Sequence, residues 1–174
     1  MMSKEKTRNS TGTGHNRNTI SIKAPFKIEK DEKRRFIRLE ITDPLSYSVM
    51  KDRTNSFWPQ GDGPAYTGSI LNVSAGGVLI LSEAPLEEGT LVVVKMMLQG
   101  IEVISNVIGL VKRAESDENE WLIGIEFITR EKLTDYLSTA EYELIPQDYT
   151  SFDEHLRNIL NKYIYTRKVT KEEK

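Results

Sequence analysis

Two short stretches hold residue types able to grip a charged ligand. One is Lys33-Arg34-Arg35-Phe36-Ile37-Arg38, and the other is Asn72-Val73-Ser74-Ala75-Gly76-Gly77. Arg34 and Arg38 are four apart. On a helix that spacing puts them on one face. In an extended chain an even spacing does the same. Either way two guanidiniums can aim at one anion, with Arg35 out of phase. Asn72 and Ser74 are two apart, so on a strand they share a face while Leu71 and Val73 turn to the core. The Gly76-Gly77 pair lets the backbone turn at unusual dihedrals and approach another surface closely. Together these features describe a polar floor facing a basic arm.

The charge distribution supports that pairing. Residues 1–38 hold 11 basic and 4 acidic side chains, a net of +7, whereas the remainder holds 13 against 22, a net of -9. A basic arm on an acidic body suits an anionic ligand that the arm helps clamp. The plainer reading of the tail's charge is solubility. The absence of Cys excludes disulfides, thiol chemistry and Cys-based zinc sites. The two histidines, His15 and His155, lie far apart, which argues against a metal site or His-driven catalysis. With no nucleophile set and no phosphate loop, the chain reads as a non-enzyme without metal. No apolar h-region opens the sequence, and Lys95 interrupts its longest apolar run, Leu91 to Leu98. The expected location is the cytoplasm.

Several elements must position the two stretches. Residues 1–27 are polar and basic and are expected to be a disordered tail. Residues 28–129 show period-two apolar alternation broken by turn signals. Leu39, Ile41, Leu45, Tyr47 and Val49 mark one strand, with Asp43-Pro44 interrupting it without a change of register. Residues 52–64 form a loop whose Phe57 and Trp58 either cap the end of a barrel or stack on a bound base. Tyr66–Val73 and Val78–Leu81 flank the turn motif. Leu91–Leu98, a Gln99-Gly100 turn, Ile101–Val111, an acidic loop over Glu115–Glu120, and Trp121, Ile123, Ile125 and Phe127 complete the pattern. The expected fold is all-β, a closed antiparallel barrel of six strands. Residues 130–174 switch to helical spacing. Leu133, Tyr136, Leu137, Ala140 and Leu144 predict one helix limited by Pro146. Ser151 and Glu154 predict a capping box for a second helix, striped by Phe152, Leu156, Ile159, Leu160 and Tyr163 and fraying from Thr166 onward.

Arg34-Arg35-Phe36-Ile37-Arg38 resembles the RxxxR arm of PilZ domains, and Asn72-Val73-Ser74-Ala75-Gly76-Gly77 resembles their (D/N)xSxxG turn. Gly124-Ile125-Glu126-Phe127 is similar to their closing strand. The resemblance covers about Glu29 to Ile128. It implies a bacterial receptor for the second messenger cyclic di-GMP, which is then the regulatory ligand. It implies Arg34 and Arg38 as the main arm ligands, with Asn72, Ser74 and Gly77 on the barrel. Lys33, Arg35 and Gly76 are secondary candidates, and Lys33 occupies the position that bears on one ligand molecule or a stacked pair. Arginine fits such a ligand by forked bonds to phosphate and to guanine O6 and N7, and by stacking. It also implies a downstream protein partner, with motility, adhesion or exopolysaccharide as outputs. Nucleic acid is not the expected partner, because the body is acidic and no row of aromatics lines the strands. The alternative reading is a PilZ-shaped interaction module that does not bind the nucleotide. Monomer and dimer both remain open.

Overall fold

A computed structural model describes residues 38–98, 104–117, 119–149 and 154–172. The expectations for the tail over 1–27, for Lys33, Arg34 and Arg35, for the Gln99-Gly100 turn, and for Ser151, Phe152 and the Leu156 side chain lie outside what is described.

Seven strands are present: β1 Arg38–Glu40, β2 Pro44–Lys51, β3 Ala65–Ser74, β4 Gly77–Ser82, β5 Leu91–Met96, β6 Ile104–Asp117 and β7 Glu120–Phe127. Each pairing is antiparallel. Strands β3, β2, β5, β6, β7 and β4 follow one another, and β4 pairs back onto β3. The six form the expected closed barrel, a topology that leaves no open edge in the ring. The short β1 lies beside β3 as a seventh strand.

The alternation in the sequence places the interior. Leu45, Tyr47, Val49, Ile80, Val92, Val94, Val111, Ile123, Ile125 and Phe127 share one buried cluster. A second cluster lies against other residues of the same strands, with Met50, Leu91, Val93, Ile108 and Leu110 meeting Leu133, Leu137 and Ile145. Four consecutive residues of β5, Leu91 to Val94, are therefore all buried. A continuous apolar run of that kind marks a strand covered on both sides. Phe57 packs on the second cluster and Trp58 on the first. Both rings are thus spent on covering the core, as the capping reading expects.

Four expectations are corrected. The one strand expected over Leu39–Val49 is split, β1 ending at Glu40 and β2 starting at Pro44, while the period-two phase carries across Asp43-Pro44, with Ile41, Leu45, Tyr47 and Val49 all packing on the barrel cluster. The acidic stretch is largely strand: β6 runs to Asp117 and β7 resumes at Glu120 as its cross-strand partner. Neighbour pairing outweighs the loop preference of the charged residues. The single helix over Leu133–Leu144 is instead a 3-10 turn, Glu131–Asp135, and a separate short helix, α1 Thr139–Glu143. Ser138 causes the break. It caps α1 in a box with Glu141, each side chain bonding the other's backbone N–H. Leu144 is consequently left exposed, and Ile145 takes the buried place. Finally, α2, Glu154–Glu172, continues well past Thr166. It packs against β1 and β3 and sends Leu160, Tyr163 and Ile164 into the barrel cluster.

Candidate functional site

The end of β3 positions the polar floor, and a bulge decides which way it faces. Along the first part of β3, Tyr66 packs toward the core and Ile70 is fully buried. Strict alternation would carry the even-numbered Asn72 and Ser74 inward as well. The next fully buried β3 residue is instead the odd-numbered Val73. The phase changes because Ile70 faces Ile80 while Asn72 faces Leu79, so one extra β3 residue is accommodated at Leu71. A bulge bends a strand and re-aims the side chains beyond it. Leu71 is accordingly only half-buried, against its expected core position.

Strand β1 completes the face. Arg38 is the register partner of Ser74, Leu39 of Val73 and Glu40 of Asn72. Directly opposed residues of an antiparallel pair project to the same side, with Cβ atoms about 5 Å apart. Val73 points inward, so Arg38, Glu40, Asn72 and Ser74 share the opposite face. Arg38 and Glu40 are exposed, Asn72 is half-buried and Ser74 is buried. The structure therefore brings Arg38 to the turn motif, although 36 positions of sequence separate it from its partner Ser74.

Ser74 and the glycines also have duties inside the turn. The Ser74 hydroxyl accepts from the Gly76 N–H at 3.2 Å and donates to the Gly77 carbonyl at 3.3 Å. The Gly76 carbonyl accepts from the Phe127 N–H at 3.0 Å. Neither glycine has a positive φ; the positive values belong to Asn55, Asn106, Gly61 and Gly89 among the described residues. Unusual dihedrals thus do not explain the pair. Close approach does explain Gly77: a Cβ there would overlap the carbonyl oxygen of Ile125 on β7. The sequence motif gave no sign of that neighbour.

A cavity of about 190 Å³ exists at the far end of β2, lined by Lys51, Asp52, Arg53, Asn55 and Tyr136 among others. Its cations are already engaged. Lys51 Nζ lies 2.9 Å from a Glu141 carboxylate oxygen, and Arg53 donates to the Glu88 carbonyl at 3.2 Å. It lies away from Arg38, Asn72 and Ser74. No group of His, Cys, Asp and Glu able to hold a metal occurs among the described residues. No described helix is long and apolar enough to cross a membrane.

Comparison with known proteins places this arrangement. Solved structures share the fold, among them one from Bacillus subtilis and one from Escherichia coli. The Bacillus subtilis inhibitor of motility (MotI/DgrA) superposes with a TM-score of 0.53 at 13% identity, over 80% of this chain and 53% of that one. Escherichia coli YcgR, solved in complex with c-di-GMP, superposes with a TM-score of 0.52 at 14% identity, over 81% of this chain and 48% of that one. This chain thus spans about half the length of either protein. No curated protein matches its sequence. The PilZ domain model matches residues 32–138, which takes in the arm, the turn and the whole barrel, and the chain belongs to the PilZ domain family.

Proposed function

We propose that this chain is a cyclic di-GMP receptor that passes the ligand signal to a protein partner. The observation that carries the reading is the register of β1 on β3, which sets Arg38 opposite Ser74 on the face that also bears Asn72. A phosphate near Arg38 meets a planar fork of donors. The same guanidinium can stack on a guanine or pair with its O6 and N7 edge. Arg34, four residues earlier, brings a second fork from the arm. Asn72 adds an uncharged amide, which does not repel phosphate. Family membership and the resemblance to c-di-GMP-bound YcgR support the choice of ligand.

Binding then draws the arm over the outer face of β1 and β3. Helix α2 packs on those same two strands, so it is the element placed to carry the change onward. The motility context of the inhibitor with the same fold makes motility control one candidate output. The receptor role is one of binding and relay rather than catalysis, and a cytoplasmic site of action follows from the nature of the messenger.

Isothermal titration of cyclic di-GMP into the wild type and into Arg34→Ala and Arg38→Ala tests the reading. The expected result is micromolar or tighter binding, with each variant losing about 1–3 kcal/mol, the usual effect of removing a charged hydrogen-bonding partner. Circular dichroism checks that each variant is folded. A folded wild type that shows neither heat nor a thermal shift removes the receptor reading in favour of an interaction module. Trypsin cleavage after Arg34 and Arg35 should slow at saturating ligand, and an unchanged rate would remove the closing arm.

A further inference from the structure

We infer that Glu40 reads the guanine edge of the ligand and gives this receptor its selectivity for guanine over other purines, an inference that rests on the receptor reading above. The four side chains of the β1–β3 face form a small grid. Arg38 and Ser74 make one rung, and Glu40 and Asn72 make the next. The rungs are about 7 Å apart and each is about 5 Å wide, from strand rise and cross-strand spacing. The rung nearer the turn is cationic and the farther one is anionic.

A carboxylate in a dinucleotide site repels phosphate, so it excludes the phosphates from its own rung and leaves them to Arg38. What it can take is a pair of adjacent donors. Guanine presents that pair on its Watson–Crick edge, as N1–H beside the N2 amino group. An ionised carboxylate has two acceptor oxygens with the spacing to accept both. The Asn72 amide on the same rung can donate to the neighbouring O6. Adenine offers an acceptor at N1, whose nitrogen lone pair would face a lone pair of the carboxylate oxygen and be rejected. Hypoxanthine keeps N1–H and O6 but lacks the amino group, so it would lose one of the two bonds. Glu40 is exposed and already interacts within the chain, so binding exchanges one partner for another.

The test is titration of wild type and Glu40→Gln with cyclic di-GMP, cyclic di-IMP and cyclic di-AMP. Wild type should bind cyclic di-GMP about tenfold or more tighter than cyclic di-IMP and tighter still than cyclic di-AMP, because a site built for a donor leaves a polar group unpaired when the donor is missing. Glu40→Gln replaces one acceptor by a donor and should bring the first ratio to within about threefold. Thermal unfolding of Glu40→Gln checks that the variant is folded at the titration temperature, since Glu40 also has an interaction within the chain to lose. A variant that keeps the wild-type ratios overturns the assignment, as does one that binds all three ligands more tightly by the same factor, for then Glu40 only repels phosphate. A wild type that binds none of them removes the receptor reading itself, an outcome distinct from the other two.

Discussion

Arg38 shows how much one side chain is asked to do. A lysine in its place would keep the positive charge but lose the planar fork and the stacking surface. Arg38→Lys should therefore bind cyclic di-GMP only slightly better than Arg38→Ala, and calorimetry on the two side by side would check this. Recovery to within twofold of wild type would mean that charge alone suffices. Gly77 is a different case. Its Cβ position is filled by the carbonyl oxygen of Ile125, and backbone cannot move aside as a flexible side chain would. Gly77→Ala should lower stability by about 1–3 kcal/mol, read from the denaturation midpoint. Loss of binding in that variant would thus report on folding as well as on the ligand. The types and spacing of Arg38, Asn72 and Ser74 singled these residues out in the chain, and the register of β1 on β3 brings the three together as the proposed site. The reason for Gly77 was not legible, because it is supplied by a strand 48 residues further on.

Among the elements, the strands were the most legible because burial imposes period two directly on the residues. Where two kinds of order competed, the pattern misled. Leu133 to Leu144 keeps helical spacing, yet Ser138 and Glu141 restart the helix between them. The signal was present as Ser-x-x-Glu but was weaker than the apolar stripe. Glu141 also ties α1 to the barrel through Lys51. Lys51 and, next, the Ser138 N–H hold its carboxyl below the usual glutamate range. A carboxyl with a depressed folded value stabilises the fold above its unfolded value, and that contribution fades as pH falls through the folded value. Glu141→Gln should cost about 1 kcal/mol at pH 7. The difference from wild type should shrink as the pH drops below the ordinary glutamate range. A gap that stays constant down to pH 3 in chemical denaturation would show that the carboxylate charge is not responsible.

For the molecule as a whole, charge and connectivity set the response. The basic stretch of 1–38 and the acidic remainder oppose each other across the sequence. Affinity for a doubly anionic ligand should fall as sodium chloride rises from about 0.05 to 0.5 M, because screening shortens to a few ångströms over that range. Salt-independent titrations would argue against phosphate contacts by the arginines. Helix α2 links the barrel core to the strands of the proposed site, since Leu160 is fully buried in the barrel cluster while the helix rests on β1 and β3. Leu160→Ala should destabilise by about 2–5 kcal/mol. It should also weaken ligand binding under conditions where the protein remains folded, as titration would show. The strand count and ring closure could be read in advance from turn spacing, whereas the placement of α2 depended on contacts that no local pattern encodes. The extra residue at Leu71 carries the longest reach of all. It works as a parity switch, for the side of the strand on which Asn72 and Ser74 lie depends on how many residues precede them in β3 and not only on which residues they are. Removing one residue there, with all four side chains of the β1–β3 face retained, would turn the two polar groups toward the hydrocarbon interior and bring Val73 to the other side of the strand. In this barrel the proposed recognition surface is therefore specified by counting as well as by chemistry, and a one-residue change in length should erase it where most single substitutions would not.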